Sequence, residues 1–401
     1  MKKTIFYRLS FLLISCLLAV GCTEQYAIQT NTFEDALVVE ATITNELKHQ
    51  KIRISRTFKF EDEAPIFESG ANVYMTDDTG QNYEFVQDSE NYVSVNAFQA
   101  EPGKTYRLNI TTADGKSYHS DGQKLTTVNE IQDLTASVAT KDGQRGVQIN
   151  ASSFDPSNTS KFYRYEYEET YKIVTPAWSD LNLVLIPPPI PGPHSSYGVE
   201  LVPRPNLDSK ICYGTKASDD IILTDTNDKG EDRVDYTVRF ISNQNYIISH
   251  RYSILVRQYV QNLAAYTYYK TLKQLAGSGG NIFSQNQPGF FYGNIKSATN
   301  PDEKVIGFFD VSSVSSKRIF FNYSDLFPGE PLPPYVVECN IQNFNFCFAP
   351  TNECSGGALV SGLLMNSFLY FSGSHPLYSM VAPECGDCTR FASNVIPPFW
   401  E

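Results

Sequence analysis

The sequence predicts a mainly β protein, an antiparallel sandwich followed by a second β-rich domain with one inserted helix and a Cys/Pro-rich C-terminal tail. Three observations predict it. Short runs of alternating polarity recur at roughly 8–12-residue spacing with Asp/Gly turns between them. Only one stretch carries helical spacing over several turns. Of the eight cysteines, five fall in the last 63 of the 401 residues.

Taken in order, residues 1–21 read as an export leader. Lys2, Lys3 and Arg8 form a basic start, and residues 9–20 form an apolar run too short to span a bilayer. Ala19-Val20-Gly21-Cys22 then fits a lipobox, so Cys22 is the expected lipid attachment site. The acyl chains, not a transmembrane helix, would hold the mature protein. Leu13-Ile14-Ser15-Cys16 also fits, but cleavage there would halve the apolar run, so Cys22 is preferred. An ordinary secretory signal is the alternative to both. Residues 22–33 are a polar tether.

Residues 34–125 form the first predicted domain. Strands are expected at 36–43, 51–58, 71–76, 83–87, 92–98 and 105–112, and Lys51-Ile52-Arg53-Ile54 alternates strictly. Asp78-Thr79-Gly80 and Asp114-Gly115 supply turns, since glycine tolerates positive φ. The expected architecture is immunoglobulin-like, with about 90 residues in two layers.

Residues 126–330 form the second. Strands are expected at 131–140 and 146–151 around Asp142-Gly143, then at 162–167, where Phe162-Tyr163-Arg164-Tyr165-Glu166-Tyr167 alternates aromatic and charged residues. Residues 176–205 hold eight prolines, and this predicts an extended loop without strands, either a rigid surface loop or a lid that contacts a partner. Strands at 221–224, 234–241 and 252–258 lead to the helix at 262–276, with Leu263, Tyr266, Tyr269 and Leu272 on one stripe and Gly277 at its end. Strands 305–311 and 318–323 close the domain.

Residues 331–401 are the expected disulfide-rich tail. Leaving out Cys16 and Cys22, the candidate disulfide cysteines are Cys212, Cys339, Cys347, Cys354, Cys385 and Cys388. An exported chain favours pairing, and the connectivity is open. Cys385-Gly386-Asp387-Cys388 is read as a structural element in preference to half a zinc site or a redox pair. No second close pair supports zinc, and Pro383 with Pro397-Pro398 leaves no room for a helix of useful length.

Composition narrows function. Hydrophobic residues make up 41% and charged residues 19%, which excludes a disordered chain, and a net charge of −12 argues against nucleic acid as a partner. Removal of Lys2, Lys3 and Arg8 takes the charge from −12 to −15, so electrostatics alone cannot hold the chain to anionic lipid. The five histidines form no metalloprotease motif, and neither a nucleophile elbow nor a phosphate loop occurs. Residues 225–232 resemble a calcium loop, but Lys229 and Tyr236 stand where ligands should, so a solvated acidic turn is expected. Glu166, Glu168 and Glu169 are the one carboxylate cluster that glycoside hydrolysis could use. The 25 tyrosines suit an interface, sugar stacking or a sandwich core equally. No cofactor and no metal are expected.

A family resemblance adds to this. The lipobox, Tyr252-Ser253-Ile254-Leu255-Val256-Arg257-Gln258-Tyr259 running into Ala265-Tyr266-Thr267-Tyr268-Tyr269, then Asn281-Ile282-Phe283, Gly293-Asn294-Ile295, Val305-Ile306-Gly307-Phe308-Phe309 and Lys317-Arg318-Ile319, with Cys385-x-x-Cys388 and a Pro398-Phe399-Trp400 ending, resemble a family of Bacteroidota outer-membrane lipoproteins of unknown function. The likeness spans nearly the whole chain. One departure is Phe391-Ala392-Ser393, where a Gly-Gly pair is the family pattern. The resemblance implies a non-catalytic, lipid-anchored accessory of a TonB-dependent β-barrel receptor, on either face of the outer membrane, and it transfers no catalytic residue. A surface glycan-binding lipoprotein is the alternative and an unrecognised hydrolase is the third, with a glycan or peptide as the expected kind of ligand.

Overall fold

The computed structural model describes residues 36–57, 66–188, 197–277, 292–347 and 354–400. The leader, Cys22 and the tether lie outside the described residues. The molecule is mainly β, as alternation predicts, and three packed units build it.

In the first unit, one ladder curls around one core. Its order is Leu37–Thr44, Lys51–Arg56, Asn91–Ser94, Asn82–Asp88, Asn72–Asp77, Thr105–Thr111, Ser117–Ser120 and Ile295–Ser297. Strict alternation puts Ile52 and Ile54 inside and Lys51 and Arg53 outside. Leu37, Met75, Tyr106, Leu108 and Phe309 fill the interior. The ladder closes through a side chain. Asn294 Nδ2 donates to the Phe309 carbonyl at 2.8 Å, and the Phe309 N–H donates to Asn294 Oδ1 at 2.7 Å. The Asn294 carbonyl meanwhile accepts from Asp121 N at 2.8 Å. Backbones approach closely at this seam. A Cβ on Gly293 would lie 1.5 Å from the Gly307 carbonyl oxygen, and Gly307 itself has φ +140°.

A single strand, Val305–Asn322, joins the first unit to the second. Residues 305–312 run parallel to Leu37–Thr44, and residues 313–322 run antiparallel to Arg251–Gln261. The sequence predicts two separate strands here, because Ser312, Ser313, Ser315 and Ser316 interrupt the apolar pattern. Ser312 and Ser313 are buried, and Thr126 and Asn45 cap the partner switch by accepting from the N–H groups of Ser313 and Val314. Ile295–Ser297 and the first half of this strand pair with the first unit although they follow the helix in sequence, so the sheets do not divide at residue 125.

The second unit is a sandwich. Ile211–Ala217, Phe162–Val174, Arg251–Gln261 and Val305–Asn322 form one layer, and Asp133–Lys141, Gln144–Asp155 and Asp232–Ser242 form the other. Asp142 and Gly143 both take positive φ in the tight turn between the first two strands of that layer, as an Asp-Gly hairpin requires. Val147, Ile149, Tyr163, Tyr165, Ile254 and Val256 meet between the layers.

The third unit corrects the expectation for residues 176–205. Leu181–Ile186 and Gly198–Pro203 form a paired hairpin that packs on Phe344, Leu359 and Tyr378 of the tail. The prolines do not prevent pairing, because Pro187 and Pro188 follow the first strand and Pro203 is the last residue of the second. The tail itself carries the sheet Gln342–Asn345, Leu377–Val381, Leu369–Ser374 and the helix Gly356–Leu364. Cys212–Cys388, Cys339–Cys385 and Cys347–Cys354 are disulfides. The first ties the tail to the second unit.

Candidate functional site

The strand Phe162–Val174 carries charge on both its faces. Residues of one parity, Tyr163, Tyr165, Tyr167 and Glu169, point into the sandwich; Arg164, Glu166 and Glu168 point the other way. Across that outer face lies the helix Leu263–Gly277. Asn262 starts it by accepting from the Ala265 N–H at 2.9 Å. Its Tyr268 and Tyr269, with Ala265, pack on Phe308 of the long strand.

Arg164 is the centre of the arrangement. Its side chain is 9% exposed and lies between two tyrosine rings, 4.3 Å from the Tyr259 centroid and 4.7 Å from that of Tyr269. Nη1 donates to Glu166 Oε1, and the Tyr259 hydroxyl donates to Glu166 Oε2 at 2.9 Å. Burial works against charge on both partners, yet the guanidinium and the Tyr259 hydroxyl hold the Glu166 pKa below the usual glutamate value. Arg164 stays charged for the matching reason, as Tyr269, Glu166, Tyr259 and Asp310 outweigh its burial. Asp310 is fully buried nearby. Its Oδ2 accepts from Ser312 Oγ at 2.6 Å and Gln261 Nε2 at 3.3 Å, and burial raises its pKa. Three buried atoms of this cluster have no partner among the described residues: Arg164 Nε, Asp310 Oδ1 and Gln261 Oε1.

A two-lobed cleft opens beside Arg164. The first lobe, about 450 Å³, runs from Arg164 and Tyr269 toward Lys48, Lys51 and Arg53. The second, about 360 Å³, runs toward Glu168, Asp219 and Asp220. Glu40, Arg164, Glu166, Ile221 and Tyr269 line both. A larger hollow of about 570 Å³ also borders the helix, but among the described residues Asp121 is its one charged lining residue. Converging charge with an unsatisfied donor marks the Arg164 cleft as the candidate site.

Of the carboxylates singled out by sequence, Glu166 and Glu168 share the outer face and line the second lobe, while Glu169 lies apart from them. Glu169 is buried in the sandwich, held by Arg239 and by the Tyr252 hydroxyl at 2.7 Å, while Glu168 pairs with Arg318 at 3.4 Å on the outer face. In the acidic turn, Asp232 is buried against Lys161 at 2.6 Å and Thr226 Oγ1 at 2.6 Å, and Asp225 accepts from the Tyr266 hydroxyl at 2.8 Å. No metal-holding group of three His, Cys, Asp or Glu occurs among the described residues. Cys385 and Cys388 bond to different distant partners, so neither sulfur is free for exchange or a metal. Arg204 braces that turn, donating to the Gly386 carbonyl at 2.8 Å and Asp387 Oδ2 at 3.1 Å.

Sequence reasoning missed Arg164, Lys51, Arg53 and Asp310 as site residues. The available signal was Arg164 and Glu166 at spacing two on a tyrosine-rich strand, which puts both on one face. That Tyr269, a hundred residues on, would cover the guanidinium is a tertiary fact.

A family model described as Domain of unknown function (DUF4249) matches residues 23–318. No curated protein matches the chain. No helix among the described residues is long and apolar enough to cross a membrane.

Proposed function

The chain belongs to the DUF4249 family, and from that premise we propose that it is a non-catalytic binding protein, anchored to the outer membrane by lipid on Cys22 and serving as an accessory of a TonB-dependent receptor in nutrient capture. The observation that carries this reading is the Ala19-Val20-Gly21-Cys22 lipobox directly after a short apolar run. Three disulfides support export to an oxidising compartment. The carboxylates most suited to hydrolysis are spent on arginine pairs on opposite faces of one strand, which favours binding over catalysis. Sugar stacking gains little support at the cleft, because a guanidinium covers one face of both Tyr259 and Tyr269.

Mass spectrometry of the mature N-terminal peptide tests the anchor; a diacylglyceryl-modified Cys22 is expected, and an unmodified first residue refutes it. Affinity purification from detergent-solubilised native membranes tests the partner. A co-purifying β-barrel receptor is expected, and its consistent absence refutes docking.

A further inference from the structure

The guanidinium of Arg164 offers two edges, and the protein uses one. Among the described residues its single hydrogen bond runs from Nη1 to Glu166, and Nε is buried without a partner. Nε and Nη2 form the parallel pair of N–H groups that matches the two oxygens of a carboxylate. A buried donor without a partner carries a desolvation cost that a ligand oxygen reaching it would relieve. The two tyrosine rings and Glu166 fix the plane of the fork.

The lining charge is divided. In the first lobe, Lys48, Lys51, Arg53 and Arg164 stand against Glu40 and Glu166, a formal +2 within a chain of net −12. In the second, Arg164 and Arg257 stand against Glu40, Glu166, Glu168, Asp219 and Asp220, a formal −3. Lys48–Glu46, Arg53–Glu90 and Lys216–Asp219 are surface pairs that a ligand can rearrange at little cost. A molecule lying across both lobes thus meets positive potential at one end and negative at the other.

We propose that the cleft takes a short zwitterionic ligand of the oligopeptide class, its carboxylate on the Nε–Nη2 edge of Arg164 and its ammonium group against Asp219 and Asp220. The proposal rests on the binding reading above, and on neither the anchor nor the receptor. No covalent step is involved. Asp310 and Gln261 are buried in the same cluster, and among the described residues Asp310 Oδ1 and Gln261 Oε1 have no partner.

The test is calorimetric titration of the full-length protein in detergent with trialanine, its C-terminal amide, its N-acetyl derivative and tri-galacturonate. Trialanine is expected to bind; amidation should weaken it about tenfold or more, the usual range for losing a charge-assisted pair, and acetylation should weaken it by a smaller factor. R164K keeps the charge without the fork and should reproduce the amidation loss, with its melting curve confirming folding. Because Arg164 is buried, the exposed double variant D219N/D220N gives a second arm, in which the acetylation penalty should disappear. Equal affinity for the acid and the amide overturns the proposal, as does tri-galacturonate binding without trialanine, or no binding of any probe at millimolar concentration. A lipidated Cys22 with no trialanine binding would defeat this inference and leave the anchoring reading standing.

Discussion

The strand Phe162–Val174 carries two arginine–glutamate–tyrosine groups, one on each face, and they end differently. On the inner face Arg239 presents Nε and Nη2 to the two oxygens of Glu169, each at 3.2 Å, and Tyr252 donates to the same carboxylate. On the outer face Arg164 gives Glu166 only Nη1, Tyr259 donates to that carboxylate, and Nε stays unpartnered. The parts are alike; the difference is whether the fork is closed. A closed fork between two sheets is a structural tie, and an open one beside a cleft is a recognition element. What separates them is position: the Arg239–Glu169 pair bridges two layers of a core, whereas Arg164 lies under a helix whose flank opens to solvent.

Substitution should magnify the contrast. E169Q leaves the Arg239 charge without its partner, and breaking a buried pair in this way costs about 3 kcal/mol; urea unfolding should show the loss. E166Q should cost about 1 kcal/mol, because Glu166 is 41% exposed and two rings still hold Arg164. Equal costs for the two variants would erase the distinction between tie and recognition element. The Asn294 seam belongs with the closed fork. N294A strands the buried N–H and carbonyl of Phe309, and a loss of about 2 kcal/mol in the same unfolding measurement is expected. A neutral N294A would mean that the first unit does not depend on closure.

The same contrast marks what the sequence could disclose. Alternation in Lys51–Arg56 and Thr105–Thr111, the Asp142-Gly143 turn and the helical stripe from Leu263 are local signals, and each corresponds to an observed element. The serines that carry Val305–Asn322 from one unit to the other looked like a loop, since the hydroxyls of Ser313 and Ser315 find their partners in a segment brought from elsewhere, at the Thr127 carbonyl and the Ile131 N–H. The hairpin Leu181–Ile186 with Gly198–Pro203 was hidden because proline density outweighed a short apolar run whose partner surface is the distant tail. Residues Arg164 and Glu166 were legible as same-face neighbours. Their role was not, because an open fork is defined by which distant groups fail to reach it.

The finest separation of the two kinds of site comes from pH. Glu166 has its pKa lowered in the folded protein, against burial, by Arg164 and Tyr259. Its contribution is therefore complete above the unfolded glutamate value and is lost as pH falls through the folded value. Asp310 is shifted the other way by burial, so its charged form costs stability above the folded pKa, and that cost is relieved as pH falls. Measured against wild type in urea unfolding between neutral pH and pH about 3, the penalty of E166Q should shrink at the acid end, below the ordinary glutamate value. D310N should lose ground relative to wild type as pH falls, since the cost of the charged Asp310 is relieved only in wild type. Both slopes are smaller than the mutational losses above. Parallel slopes for the two variants would mean that Arg164 does not hold Glu166 charged while Asp310 resists charge beneath it, and the electrostatic basis for an open cationic edge at this cleft would fail.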